Sequence, residues 1–131
     1  MAPERYRDWL QQAQCDLDHA RVAIRACHFE WAAFAAEQAA GKALKALHIF
    51  LRGAVWGHDL PLLLEGLPDG RPVPKDLVER AKALHRHYLN ARYPTMFASG
   101  TPREHYTLAE AEQALADAEV IVEFSRKGFP E

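Results

Sequence analysis

Cysteine is scarce in this chain: Cys15 and Cys27 are its only two among 131 residues, too few for a disulfide scaffold. They stand twelve apart in one helical pattern, which cannot bring them together. Both therefore read as small buried apolar residues, and a reducing cytoplasm fits best. No apolar run reaches the roughly 18 residues that a membrane-spanning helix needs. The opening Met1-Ala2-Pro3-Glu4-Arg5 lacks the apolar stretch of a signal peptide. Positive charge is not in excess: the net charge is -2 and the pI about 6.4. That argues against a generic nucleic-acid binder held by bulk phosphate attraction, and leaves only a local basic face. Strong strand formers are sparse, whereas alanine, the best helix former, occurs 23 times. The composition is that of an ordinary globular chain and excludes disorder. The length predicts one domain over residues 1–131, able to bury roughly two-thirds of its unfolded surface.

Hydrophobic spacing divides the chain. Tyr6, Leu10, Ala13, Leu17, Ala20, Ile24 and Cys27 recur every three or four residues and predict a long helix over about 4–27. His28-Phe29-Glu30 reads as a short turn. From about 31 to 52 the pattern is apolar almost all round, with a narrow polar stripe of Gln38, Lys42, Lys45 and Arg52, and His48 beside it. Such a helix is central to a bundle or packs on a second subunit. Gly41 within it costs up to ~1 kcal/mol against alanine, which close approach of a neighbouring helix would offset. Residues 53–74 are a glycine- and proline-punctuated connector with a short helix inside, capped by Asp59, carrying Pro61 in its first turn and ended by Gly66. Leu77, Ala81, Leu84 and Tyr88 predict a third long helix from Lys75 to Asn90, stopped by Pro94. A polar loop runs to Tyr106. Thr107 and Glu110 form a capping box for the last helix, whose seam is Leu108, Ala111, Leu115, Ala118 and Val122. The predicted architecture is all-α: an antiparallel up-and-down bundle of four long helices plus one short one.

No phosphate-binding glycine loop, zinc-binding H-E-x-x-H or C-x-x-C occurs, and no cofactor is implied. His85 and His87 point to opposite sides of a helix and cannot share a metal; the seven histidines read as solvated, with no metal site. The densest polar cluster is Arg80, Lys82, His85, Arg86, His87, Tyr88, Arg92 and Tyr93. Its cations either stabilise a helix C-terminus or form an anion site, since guanidinium forks match phosphate oxygens. Tyr88 or Tyr93 would stack on a base. Arg80 and His85 also fit R-x4-H, a pattern in which the histidine takes a 2'-hydroxyl proton while arginine stabilises phosphorane charge. Lys42 and Lys45 either form a solvated stripe or line the same groove as Arg92.

Gln38-Ala39-Ala40-Gly41-Lys42-Ala43-Leu44-Lys45-Ala46-Leu47 resembles the QAAEKALKALL signature of the HEPN domain (higher eukaryotes and prokaryotes nucleotide-binding). Tyr88-Leu89-Asn90-Ala91-Arg92-Tyr93-Pro94 resembles that family's Y-x-x-x-RYP segment. Asp16-Leu17-Asp18-His19-Ala20, His58-Asp59-Leu60 and the final helix extend the likeness over nearly the whole chain. The resemblance implies a bundle of four to five helices, commonly a homodimer, often encoded beside a minimal nucleotidyltransferase; some members are toxin-like, metal-independent ribonucleases with that partner as antitoxin, and others are taken as nucleotide-binding modules. It assigns ligand contacts to Gln38, Lys42, Lys45, His58, Tyr88, Arg92 and Tyr93. Two departures stand out. Gly41 replaces an acidic residue, and the R-x4-6-H pattern of ribonuclease members, with tyrosine two past the histidine, is not reproduced after Arg92. The first reading is thus a nucleotide- or RNA-phosphate-binding module, with Arg86 and Arg92 on the phosphate. The second is a metal-independent endoribonuclease using Arg80 or Arg92 with His85 or His87 as base. The third is a structural dimerising bundle without ligand.

Overall fold

The computed structural model describes residues 5–54, 56–68 and 70–130. All the regular structure among them is helical. The helices are α1 (Tyr6–Arg25), α2 (Phe29–Leu51), α3 (Leu60–Glu65), α4 (Lys75–His85), α5 (His87–Asn90), α6 (Pro102–His105) and α7 (Leu108–Lys127). None is long and apolar enough to cross a membrane.

The three-residue turn after α1 forces α2 to run back along it. The rings of Tyr6, Phe50 and Phe129 meet at one end, 4.7–5.6 Å apart, so α7 ends where α2 ends. Arg80 on α4 pairs with Asp117 on α7 at 2.9 Å, while Asp76 and Leu77 share a cleft with Val120 and Glu123, which makes α4 antiparallel to α7. The order up, down, up, down is that of the expected bundle. Within it, α2 is the axis: of its residues, Ala32, Ala33, Ala36, Ala39, Ala40, Ala43, Leu44, Ala46 and Leu47 are fully buried. Alanine side chains let neighbouring backbones come close, so α2 is enclosed by α1, α3, α4, α5 and α7.

Local chemistry sets the ends. Asp59 accepts from the Leu62 amide and Gly66 closes α3; Thr107 and Glu110 form the expected capping box of α7. Tyr93 is extended before Pro94, as the steric demand of proline requires.

Several features differ from the sequence reading. Cys15 and Cys27 are both exposed: Cys15 lies off the α1 seam, and Cys27 follows the helix in a left-handed conformation, φ 60°. Phe29 and Glu30 already belong to α2, where Glu30 is buried and bonded by Arg103 at 2.8 Å. The third helix breaks at Arg86 into α4 and α5. The polar stretch before Tyr106, expected as a loop, contains α6, with its own capping box of Thr101 and Glu104. The buried face of α7 runs through Ala111, Ala114, Ala118, Ile121, Val122 and Ser125, leaving Leu108 exposed. An alanine methyl at Gly41 would meet Leu60 Cδ2 at 3.5 Å, ordinary contact, so no close approach demands glycine there.

His48 is not solvated but 1% exposed, its Nε2 donating to the Leu63 carbonyl at 2.6 Å. That bond ties α2 to α3. Gly53 lies against the same ring: a β-carbon there would stand 2.1 Å from Nδ1. Gly53→Ala should therefore push the imidazole off Leu63 and cost about 1–3 kcal/mol, read as a lowered midpoint in thermal or urea unfolding. An unchanged midpoint would mean that the ring is free to move.

Candidate phosphate-binding groove

One side of α2 carries polar groups into this packed axis. Glu37 is 1% exposed, and its Oε1 accepts from the Gln38 side-chain amide at 2.8 Å. Burial raises its carboxyl from 4.5 to about 7, against the opposing pull of the Gln38 bond and of Lys45, Arg92 and Lys42. Lys45, two turns on, is buried as well. Its Nζ lies 5.2 Å from the Trp56 ring centre and 5.9 Å from that of Trp9. The two indoles meet edge to face, Trp9 from α1 and Trp56 from the connector. Burial first, then Lys42, lowers the Lys45 ammonium, while Glu37 opposes this.

Arg92 enters from the residue pair following α5. Its Nε donates to the Tyr88 carbonyl at 2.8 Å, capping the end of that helix. The guanidinium lies 4.5 Å from the Phe34 ring centre, 4.7 Å from Tyr88 and 4.9 Å from Tyr93. Three aromatic rings thus hold it as cation–π partners and fix its orientation. Among the described residues, neither Arg92 nor Lys45 has a carboxylate within ion-pair distance. His58 stacks on Tyr88, ring centres 4.8 Å apart, and His85 lies parallel to Tyr88 at 6.4 Å with its buried Nδ1 unbonded. Burial, followed by Lys45, Arg92 and His85, lowers the His58 imidazole. Tyr88 already carries His58 and the Arg92 guanidinium against its ring. Tyr93, 45% exposed, is the more open stacking surface.

The structure therefore brings together Lys45, His58, Tyr88, Arg92 and Tyr93, with His85 beside them. Lys42 flanks the cluster but is already paired with Asp16 of α1 at 2.6 Å. Arg80, Arg86 and His87 are not part of it. Arg80 holds Asp117 and Asp76, so Arg80 and His85 serve different faces of α4. His87 Nδ1 meets the Tyr106 hydroxyl at 2.6 Å, and Arg86 borders the same small cavity of about 270 Å³ facing α7. Burial lowers the His87 imidazole and raises the Tyr106 phenol, so the hydroxyl donates to a neutral ring. No group of three or more His, Cys, Asp or Glu placed to hold a metal occurs among the described residues. Sequence reasoning missed Glu37, Trp9 and Trp56. The acid directly before Gln38, inside a nearly all-alanine helix, was the readable sign for the first; the indoles left none.

The HEPN domain model matches residues 6–128. The chain belongs to the HEPN domain family. The chain is 44% identical to TT1696 from Thermus thermophilus, whose crystal structure superposes with a TM-score of 0.93 over 95% of this chain and 98% of that one. ST0689, an archaeal HEPN homologue, is 32% identical with a TM-score of 0.81, covering 94% and 96%. A HEPN domain protein of Thermotoga maritima, TM0613, is 30% identical with a TM-score of 0.74, covering 92% and 95%. A Methanocaldococcus jannaschii protein named "Putative toxin MJ1304" is 28% identical over 124 residues, 88% of this HEPN chain and 82% of that protein.

Glu37 makes folding depend on pH. Its folded value lies above the unfolded one, so the unfolded chain binds fewer protons between about 4.5 and about 7, and stability falls as pH rises through that window. The whole fall is on the order of 3 kcal/mol. Glu37→Gln keeps an amide in place and should lose far less stability between pH 5 and pH 8 than the parent, measured by urea unfolding. Equal losses in both chains would assign the effect elsewhere.

Proposed function

We propose that this HEPN protein binds the phosphate of a nucleotide or RNA between Lys45 and Arg92, with Tyr93 available to stack on a base and His58 at the rim. The observation that supports it is a pair of held cations with no carboxylate in ion-pair contact among the described residues. Arg80, Arg103 and Lys42, by contrast, are each paired with a carboxylate. Arg92 instead spends Nε on a carbonyl and keeps its amino groups for another acceptor, and phosphate oxygens fit that fork. The reading includes a toxin-like role, in line with the name of the M. jannaschii relative. It also includes a homodimer, and a minimal nucleotidyltransferase as partner. His85, beside Tyr88 with an unbonded Nδ1, favours a second reading in which the same groove cleaves RNA without metal, His85 taking the 2'-hydroxyl proton.

Titration with AMP and with a short single-stranded RNA tests the first reading. Arg92→Ala and Lys45→Ala should each weaken binding by roughly tenfold or more, since a charged hydrogen bond contributes about 1.5–3 kcal/mol. Lys82→Ala, on the exposed side of α4, should leave it unchanged. Full affinity in Arg92→Ala would overturn the site. Incubation with RNA in EDTA tests the second: cleavage by the parent that His85→Ala abolishes would make the protein a ribonuclease.

A further inference from the structure

The groove that receives phosphate in the proposed function contains its own acid. Glu37 stands on α2 between Phe34, against whose ring Arg92 packs, and Lys45; among the described residues it has one neutral hydrogen bond, from Gln38, and no ion pair. In the free protein its carboxylate attracts both cations from beyond ion-pair distance. The groups acting on it are Lys42 and Lys45 from α2 and Arg92 from the segment after α5. From α1, Asp16 is held by Lys42; from the connector and α4, His58 and His85 face the same groove. A phosphate bound to Lys45 and Arg92 sets a second negative charge beside a carboxylate that is 1% exposed. Water screens that repulsion little, because the carboxylate is out of its reach.

Resting on that phosphate-binding reading, we propose that occupancy of the groove is coupled to protonation of Glu37: the ligand becomes the counter-ion of Lys45 and Arg92, and the carboxylate takes up one proton from solvent. The Glu37 carboxyl sits near neutrality already, so the proton is available at neutral pH. The bound anion favours the protonated form further, because a like charge nearby disfavours the ionised one. By linkage, whatever favours the proton on Glu37 favours the ligand equally. Lys45 and Arg92 together then offer two positive charges at lower pH and a net one at higher pH. The groove accordingly grips phosphodiesters more tightly in a mildly acidic medium.

The test uses the full chain and a short 2'-O-methyl adenosine oligomer, which cannot be cleaved at its 2'-position and whose diesters hold a constant charge. Affinity is measured at fixed ionic strength from about pH 6.5 to about pH 8.5. The parent should weaken by several-fold, at most about tenfold per pH unit above Glu37's own range. Calorimetry in two buffers of different ionisation enthalpy should show proton uptake at neutral pH. Glu37→Gln should bind with nearly flat affinity, tighter than the parent at the alkaline end, and take up no proton. Lys45→Arg keeps the charge without titrating in this range and should retain the slope, as should His58→Gln and His85→Gln. A slope that survives in Glu37→Gln, or one that disappears in Lys45→Arg, overturns the coupling. Binding with no slope in the parent overturns it too while leaving the phosphate site standing. Absence of binding by both parent and Glu37→Gln at every pH overturns the site itself.

Discussion

Burial of α2 on nearly every side is the constraint from which the rest follows. Its alanines admit α1, α3, α4, α5 and α7 to close range, so any polar side chain on it is stripped of water and must be satisfied by a neighbour or remain costly. Glu30 finds Arg103, and His48 finds the Leu63 carbonyl. Lys45 finds only the faces of two indoles, and Glu37 only an amide. Two of these groups are structural joints. The other two are charged groups held in a dry place with an incomplete set of partners, which is the usual signature of a site rather than of a core.

Arg92 shows that the stabilising and the functional reading of a residue need not compete. Its Nε caps α5, as a cation at a helix C-terminus should. The same bond, with Phe34, Tyr88 and Tyr93 packed around the guanidinium, removes the freedom a ligand would otherwise have to take away. The helix end thus preorganises the fork.

The helical order was legible because each boundary has a local cause: Asp59 and Gly66 around α3, Thr107 with Glu110 at α7, Pro94 beyond α5. The axis was legible from the apolar circumference of α2. What escaped were matters of rotation and depth. Ala111, Ala118 and Val122 of the expected α7 seam are buried, but the buried face extends to Ala114, Ile121 and Ser125 and leaves Leu108 exposed. α6 was missed although Thr101-Pro102-Arg103-Glu104 repeats the cap signature of α7, because four residues are too few to show a period. The groove was legible in part. Lys45, His58, Tyr88, Arg92 and Tyr93 come from three separate stretches, and the resemblance, not their spacing, joined them. Nearness in sequence grouped Arg80, Arg86 and His87 with His85, although Arg80 pairs with Asp117 of α7 and Arg86 and His87 border the cavity facing α7.

Charge shows why whole-chain averages mislead here. A net charge of -2 argues against adhesion to nucleic acid through a broad basic surface. It says nothing about a site where the acids are used up elsewhere. Asp16 pairs with Lys42, Glu30 with Arg103 and Glu119 with Arg21, while Asp76 and Asp117 share Arg80. What is left around α2 is Lys45 and Arg92 against Glu37 alone, a local excess of one positive charge in low dielectric. A field of that kind is short-ranged and strong. On the proposed reading it suits one phosphate at a defined place rather than a long polyanion, with buried Glu37 making that binding depend on a single proton.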